Sequence, residues 1–287
     1  MFSPPAYSPA TVISMKVSII GYGNIGSTLA EALLEQKALR PEHLIVANRT
    51  PEKTASLLSK YPGVSCADNA RAAAWGDIVF LCVRTPQVLP VLREITPCMS
   101  EEQHLVITNG GVRLENVASV FSGAVSKLVP SIAMRSGRGV SLLCHEQKVG
   151  SDARSRLEGL LAHLGMVCPV QQDQFEVAAD LTSCAPALWA ALAQHFADAG
   201  CRHSDLSPAD AYLMVTETLL ASASLLRDGG VLPDQMRELV ATPGGITEQG
   251  LMVLDRKMPD VFDELLVATT AKHEETKSKV RQQFESP

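Results

Sequence analysis

Val17-Ser18-Ile19-Ile20-Gly21-Tyr22-Gly23-Asn24-Ile25-Gly26 is the stretch on which the fold turns. Its first four residues are apolar or small and mostly β-branched, a short strand that Gly21 stops. From Asn24 to Gln36, the residues Ile25, Leu29, Ala32 and Leu33 fall on one face of a helix. Between strand and helix the glycines stand as G-x-G-x-x-G, and each has a physical reason. Gly21 permits a tight turn, Gly23 lets a pyrophosphate approach the backbone, and Gly26 lets the helix pack closely on the strand. The helix start adds unpaired N–H groups and a partial positive charge, both favourable to phosphate. The bare pattern is weak evidence. Set directly between a strand and a helix, it predicts a dinucleotide site built on Gly21, Gly23, Asn24, Ile25 and Gly26.

The next strand, residues 44–47, chooses the cofactor. An acid at its end would bind the ribose hydroxyls of NAD, but Asn48-Arg49-Thr50 follows instead. Arg49 can pair with a 2′-phosphate, and Asn48 and Thr50 can add hydrogen bonds. The reading is therefore NADP(H) in preference to NAD(H), with Lys53 solvated. Residues 51–60 read as a helix with Pro51 in its first turn. Residues 78–83 form a continuous apolar run, as in a strand covered on both faces of a parallel sheet. Further strands are expected at 105–108, 124–129, 140–143 and 166–170, with a helix at 154–164. This alternation predicts an α/β fold, an N-terminal Rossmann-type doubly wound sheet.

Beyond Gln171 the texture changes to helices, expected at 176–199, 208–228, 232–240, 247–254 and 260–284. Ser207-Pro208 makes a good start and Gly229-Gly230 a good stop. The expected division is an NADP-binding domain over 1–172 and an all-α substrate and dimerisation domain over 173–287. Residues 1–14 read as a disordered tail, and Met15 as an alternative natural start. A bundle of about 115 residues with long apolar faces completes its core by pairing with another copy, which predicts a homodimer through this domain.

Composition excludes some classes. A net charge of −6 argues against a general nucleic-acid binder. No apolar run is long enough to cross a bilayer, and the N-terminus lacks the features of a signal peptide, so the reading is cytoplasmic. The seven cysteines are odd in number and form no CxxC, which points to buried free thiols, with no disulfide framework and no metal site. His163, His195 and His203 each lack a partner at catalytic spacing.

Ala241-Thr242-Pro243-Gly244-Gly245-Ile246-Thr247 joins two expected helices. Its glycines allow N–H groups to point at an anion, and a helix beginning near Thr247 strengthens that effect. The loop is a candidate carboxylate site, with a plain helix connector as the alternative.

Over residues 16–284 the chain resembles the pyrroline-5-carboxylate reductases, whose motifs include an S-P-G-G-x-T loop. Val83-Arg84-Thr85-Pro86-Gln87 is similar to their V-K-P-Q, Val129-Pro130-Ser131 to their M-P-N, and Ser183-Cys184-Ala185-Pro186-Ala187 to their G-S-G-P-A. It is most similar to a divergent branch associated with late-competence operons, which shares the S-C-x-P-A segment and the tail from Ala271-Lys272-His273 to Gln283-Phe284. The resemblance implies NADPH-dependent reduction of 1-pyrroline-5-carboxylate, or a close cyclic imino acid, to L-proline. It implies that Thr247 hydrogen-bonds the ring nitrogen, that Thr242, Gly244 and Gly245 take the carboxylate, and that Val83, Arg84 and Ser131 stand near the cofactor. The departures are Ser131 in place of asparagine, Ala185 in place of glycine, and Glu248 among the substrate-site residues, where it would repel an anionic substrate if it pointed inward or favour one with an extra amino group, with outward pointing as the alternative. Two other readings stay open: an NADP-binding regulatory homologue with weak or no turnover, and an imine reductase for another substrate. A β-hydroxyacid dehydrogenase with a catalytic lysine is disfavoured, because no lysine lies between Lys148 and Lys257.

Overall fold

Short β-branched runs without polar alternation need cover on both faces, and a central parallel sheet supplies it. The computed structural model describes residues 15–285, so the tail read at 1–14 lies outside the described residues. Strands β1 (Val17–Ile20), β2 (Leu44–Ala47), β3 (Ser65–Ala67), β4 (Ile78–Leu81), β5 (His104–Ile107), β6 (Ala124–Val129), β7 (Gly139–His145) and β8 (Gly165–Pro169) form one sheet. Their order is β3-β2-β1-β4-β5-β6-β7-β8. The order reverses beside β1, which pairs in parallel with both β2 and β4. In doubly wound sheets, that switch point is where ligands bind. Strand β7 runs antiparallel to β6. Only a short 3-10 turn, Ile132–Ser136, separates them, too little chain for a parallel crossover.

Helices α1 (Asn24–Glu35), α2 (Ala55–Lys60), α3 (Asn69–Trp75), α4 (Val88–Ile95), α5 (Leu114–Ala118) and α6 (Ser151–Ala162) follow. Two apolar layers result. Ile19, Leu29, Leu33 and Phe80 belong to one, and Ile20, Leu81, Leu92 and Ile107 to the other. The helix expected at 51–60 opens as a 3-10 turn, Pro51–Thr54, before α2.

The later part contains α7 (Phe175–Ala179), a π-helical turn (Asp180–Cys184), α8 (Ala185–Arg202), α9 (Pro208–Arg227), α10 (Pro233–Val240) and α11 (Ile246–Glu285). The two helices expected at 247–254 and 260–284 are one 40-residue helix that runs through Pro259. A proline removes one N–H and crowds the preceding turn. Here the good helix formers Arg256, Lys257 and Met258 on one side, and Glu264, Leu265 and Leu266 on the other, sustain the helix across it.

The chain divides into two compact units, one comprising the described residues up to Cys184 with those from Thr270 onward, the other Ala185–Thr269. The change of texture near residue 172 marks the end of the strands, and the units part later, after the π-helical turn. Within the second unit α8 packs along α9, yet only Ala185, Ala193, Ala197 and Ala211 are fully buried. Phe196, Val267 and Ile246 are 72%, 71% and 94% exposed. Apolar exposure on this scale marks an interaction surface. Among the described residues no helix is long and apolar enough to cross a membrane.

One polar chain crosses the first unit. His104 Nε2 lies 2.7 Å from Ser126 Oγ, Ser126 Oγ lies 2.6 Å from His145 Nδ1, and His145 Nε2 lies 3.2 Å from Glu158 Oε1. Proton bookkeeping gives it one direction. An ionised Glu158 only accepts, so His145 donates from Nε2 and accepts at Nδ1. Ser126 then donates to His145 and accepts from His104. Burial, then the neighbouring His145, push the His104 pKa down to about 4, and burial also lowers that of His145.

Below the ordinary imidazole value the unfolded chain therefore takes up protons before the folded chain does. Stability is expected to be intact above about pH 6.5 and to decline by about 3 kcal/mol as pH falls toward 4. Urea denaturation along that range checks it. His104→Gln, which keeps a donor for Ser126, is expected to flatten the decline, and an unchanged slope would exclude His104 as its source.

Candidate functional site

The glycine turn is built by close contacts. Gly21 has φ +98°, in the left-handed region, and a Cβ there would lie 2.7 Å from the Cys82 carbonyl oxygen. Its N–H donates to the Ala47 carbonyl at 2.8 Å, which fixes the turn to β2. A Cβ on Gly26 would overlap the Gly21 carbonyl oxygen, so α1 sits this close only with glycine at that position. Gly23 differs. Its φ is −94°, and a Cβ there would enter open space. The start of α1 has no side-chain cap and no acid in its first turn. Its leading N–H groups, which have no intrahelical acceptor, are thus available to an anion.

A cleft of about 650 Å³ opens beside this turn, lined by Gly21, Gly23, Asn48, Arg49, Thr50, Lys53, Val83 and Arg84 among others. Its electrostatics are one-sided. Arg49, Lys53 and Arg84 are exposed, and none of them forms an ion pair among the described residues. The acids at its edge are engaged: Asp68 accepts from the Arg71 N–H at 2.8 Å and caps α3, and Glu94 accepts from Asn69 Nδ2 at 2.9 Å. The unpaired cations Arg49, Lys53 and Arg84 favour a phosphorylated ligand at the cleft.

The expected residues are not all brought to this cleft. Asn48 lines it, but its amide works within the chain: Oδ1 accepts from the Tyr22 N–H at 3.1 Å and Nδ2 donates to the Thr50 carbonyl at 2.8 Å. It holds the glycine turn to the end of β2. Ser131 is buried, and its hydroxyl accepts from the Ala133 N–H at 3.4 Å where the 3-10 turn begins. Asn24 and Ile25 sit exposed in the first turn of α1. Sequence reasoning missed Asn109, whose Nδ2 donates to the Val83 carbonyl at 2.9 Å and fixes the cleft floor. Its position just past β5 was the available signal. Cys82 lies under the turn with its thiol pushed up to about 12 by burial, so it remains a neutral packing group. Ser183, in the π-helical turn, donates to the Pro130 carbonyl at 2.7 Å.

The second group of expected residues belongs to the helical unit. Helix α10 ends at Val240, and α11 begins at Ile246, which puts Thr247 and Glu248 in its first turn. Gly244 has φ +74°. The Gly245 N–H donates to the Thr242 carbonyl at 2.8 Å and closes the loop. The Gly244 N–H donates to Glu248 Oε2 at 2.8 Å. The Glu248 carboxylate is thus turned back over the loop, while Thr242 and Thr247 stay exposed. The first N–H groups of α11 and two hydroxyls make a surface suited to a small anion with an adjacent polar atom, and the Gly244 N–H would join them if Glu248 released it.

Known proteins carry the same two parts. The pyrroline-5-carboxylate reductase dimerisation model matches residues 172–276, and a model of coenzyme F420-dependent NADP oxidoreductases matches residues 16–110. ComE operon protein 4 of Bacillus subtilis (strain 168) is 30% identical over 271 residues, covering 94% of this chain and 99% of that protein. The pyrroline-5-carboxylate reductase of Methanobrevibacter smithii is 30% identical over 250 residues, covering 85% and 98%. Among solved structures, a pyrroline-5-carboxylate reductase from Coxiella burnetii shares the fold with a TM-score of 0.83 at 24% identity, covering 92% of this chain and 99% of that one.

The glycine geometry separates two variants. Gly26→Ala is expected to cost about 2 kcal/mol or more, because its methyl must displace a backbone carbonyl. Gly23→Ala is expected to keep its stability within about 0.5 kcal/mol and to lose dinucleotide affinity by about tenfold or more. Thermal denaturation without ligand and a fluorescence titration with NADPH read the two effects; equal behaviour of the variants would contradict the assignment of Gly23 to the ligand.

Proposed function

The chain belongs to the pyrroline-5-carboxylate reductase family, and from that premise we propose that it reduces the C=N bond of 1-pyrroline-5-carboxylate, or a close cyclic imino acid, using NADPH and yielding L-proline or its analogue. It is accordingly an oxidoreductase acting on CH–NH groups. The observation that carries the reading is the pairing, in one chain, of an uncapped glycine cradle beside an unpaired Arg49 with a Thr-Pro-Gly-Gly-Ile-Thr loop opening α11.

The residues fit the cofactor. The open space at Gly23 admits a pyrophosphate, the leading N–H groups of α1 bind it, and Arg49 with Lys53 meets a 2′-phosphate. Bound there, the reduced nicotinamide supplies a hydride. The demands on the protein are then modest, because a protonated cyclic imine is a good acceptor. Thr247 hydrogen-bonds the ring nitrogen and fixes the orientation of the C=N, while Thr242, the first N–H groups of α11 and the Gly244 N–H, once Glu248 releases it, hold the carboxylate. Orientation of this kind supplies most of the rate, without a strong general acid. The exposed apolar faces of the helical unit, whose buried residues are alanines alone, support assembly as a homodimer.

A second reading, an NADP-binding regulator with weak or no turnover, is favoured by Glu248, a carboxylate lying on the loop that would take the substrate's own.

Purified protein is expected to oxidise NADPH in the presence of 1-pyrroline-5-carboxylate. Thr247→Ala should lower kcat/KM about 100-fold, the loss of an orienting hydrogen bond in the transition state. Arg49→Ala should raise KM for NADPH about tenfold and leave that for NADH unchanged. NADPH binding without turnover would remove the reductase reading and leave the regulatory one.

A further inference from the structure

In this loop the Gly244 N–H is already occupied by a carboxylate that belongs to the chain. Glu248 Oε2 accepts from it at 2.8 Å. A glutamate three residues into a helix usually reaches back to the N–H of the residue just before the helix. Here that residue is Gly245, whose N–H is instead committed to the Thr242 carbonyl. Glu248 reaches one residue further, to Gly244, which its φ of +74° turns toward it. Glu248 therefore lies over the loop rather than at the helix cap proper. It is half-buried there.

Among the described residues Glu248 forms no ion pair. Between Arg237 and Arg256 the sequence contains no lysine or arginine, and Arg237 is itself paired with Asp255 at 2.5 Å. An incoming carboxylate would have to displace Glu248 from Gly244 and then stand beside a second carboxylate. A cyclic imine without a carboxylate faces neither cost.

We propose that Glu248 is a specificity-determining residue, an internal carboxylate that competes for the substrate loop and lowers the selectivity of the site for carboxylated imines over imines with no anionic group. The proposal rests on the loop being the substrate carboxylate site, as the reductase reading has it.

Two measurements test it separately. The first is calorimetric binding of tetrahydrofuran-2-carboxylate, a five-membered ring that cannot be reduced, to the full chain in saturating NADP. Glu248→Ala should bind it about tenfold or more tightly than the wild type, the equivalent of one charge-assisted hydrogen bond. Glu248→Gln keeps an acceptor for Gly244 but no charge, and should fall between them. NADP affinity, read in the other unit, should be unchanged in both. The second is the ratio of kcat/KM for 1-pyrroline-5-carboxylate to that for 1-pyrroline, which should rise about tenfold or more in Glu248→Ala by the same interaction. Turnover in every variant with binding and ratio unchanged would overturn the role of Glu248 and leave the reductase reading intact. Tighter carboxylate binding without turnover in any variant would overturn the reductase reading and leave Glu248 as the loop's competitor. Neither turnover nor a change in binding would overturn both.

Discussion

The contact between the Gly21 carbonyl and the backbone of Gly26 governs the first unit. With any side chain at residue 26, α1 would have to back away from the turn that ends β1. That turn is fixed from two other directions, by the Ala47 carbonyl on the Gly21 N–H and by the Asn48 side chain on the Tyr22 N–H. Three elements thus converge on a few backbone atoms at the point where the strand order reverses. The anion-binding end of α1 is therefore aimed by packing and not by the ligand, so its orientation costs nothing when a phosphate arrives.

Charge completes what packing begins. The cleft keeps its cations unpaired and its acids engaged in capping and side-chain hydrogen bonds. The helical unit presents the opposite case, since its loop holds an anion drawn from its own sequence. One end of the chain is prepared for negative charge, while the other is partly satisfied already.

What could be read from the sequence followed the range of the interactions. The strand–glycine–helix start, the Arg49 position and the strands at 78 and 124 are local patterns, and the structure has them within a few residues. Strand β3 escaped because it is a three-residue, largely exposed edge with no apolar run. Helices α3 and α4 are short, and α4 follows a proline-containing turn that reads as loop. Pro259 suggested a break where the flanking residues sustain one helix. The His104–Ser126–His145 chain joins residues 22 and 19 apart in sequence, and neither hydropathy nor spacing announces it. In the site, residue types indicated ligands, and two of the expected residues also carry hydrogen bonds within the chain that spacing does not announce. Asn48 holds the turn, and Ser131 begins a 3-10 turn.

The alanine-only interior of residues 185–269 has a consequence for how this protein responds to dilution. Alanine burial contributes little against the entropy of ordering long helices. Apolar area shared with another copy would add to what holds this unit together, and folding would then be coupled to association. By mass action its apparent stability then depends on the concentration of chains. At low concentration a larger fraction of such a chain would stand unassembled with its widest apolar surfaces open to proteases and chaperones, and the amount made would itself set how much assembled protein exists.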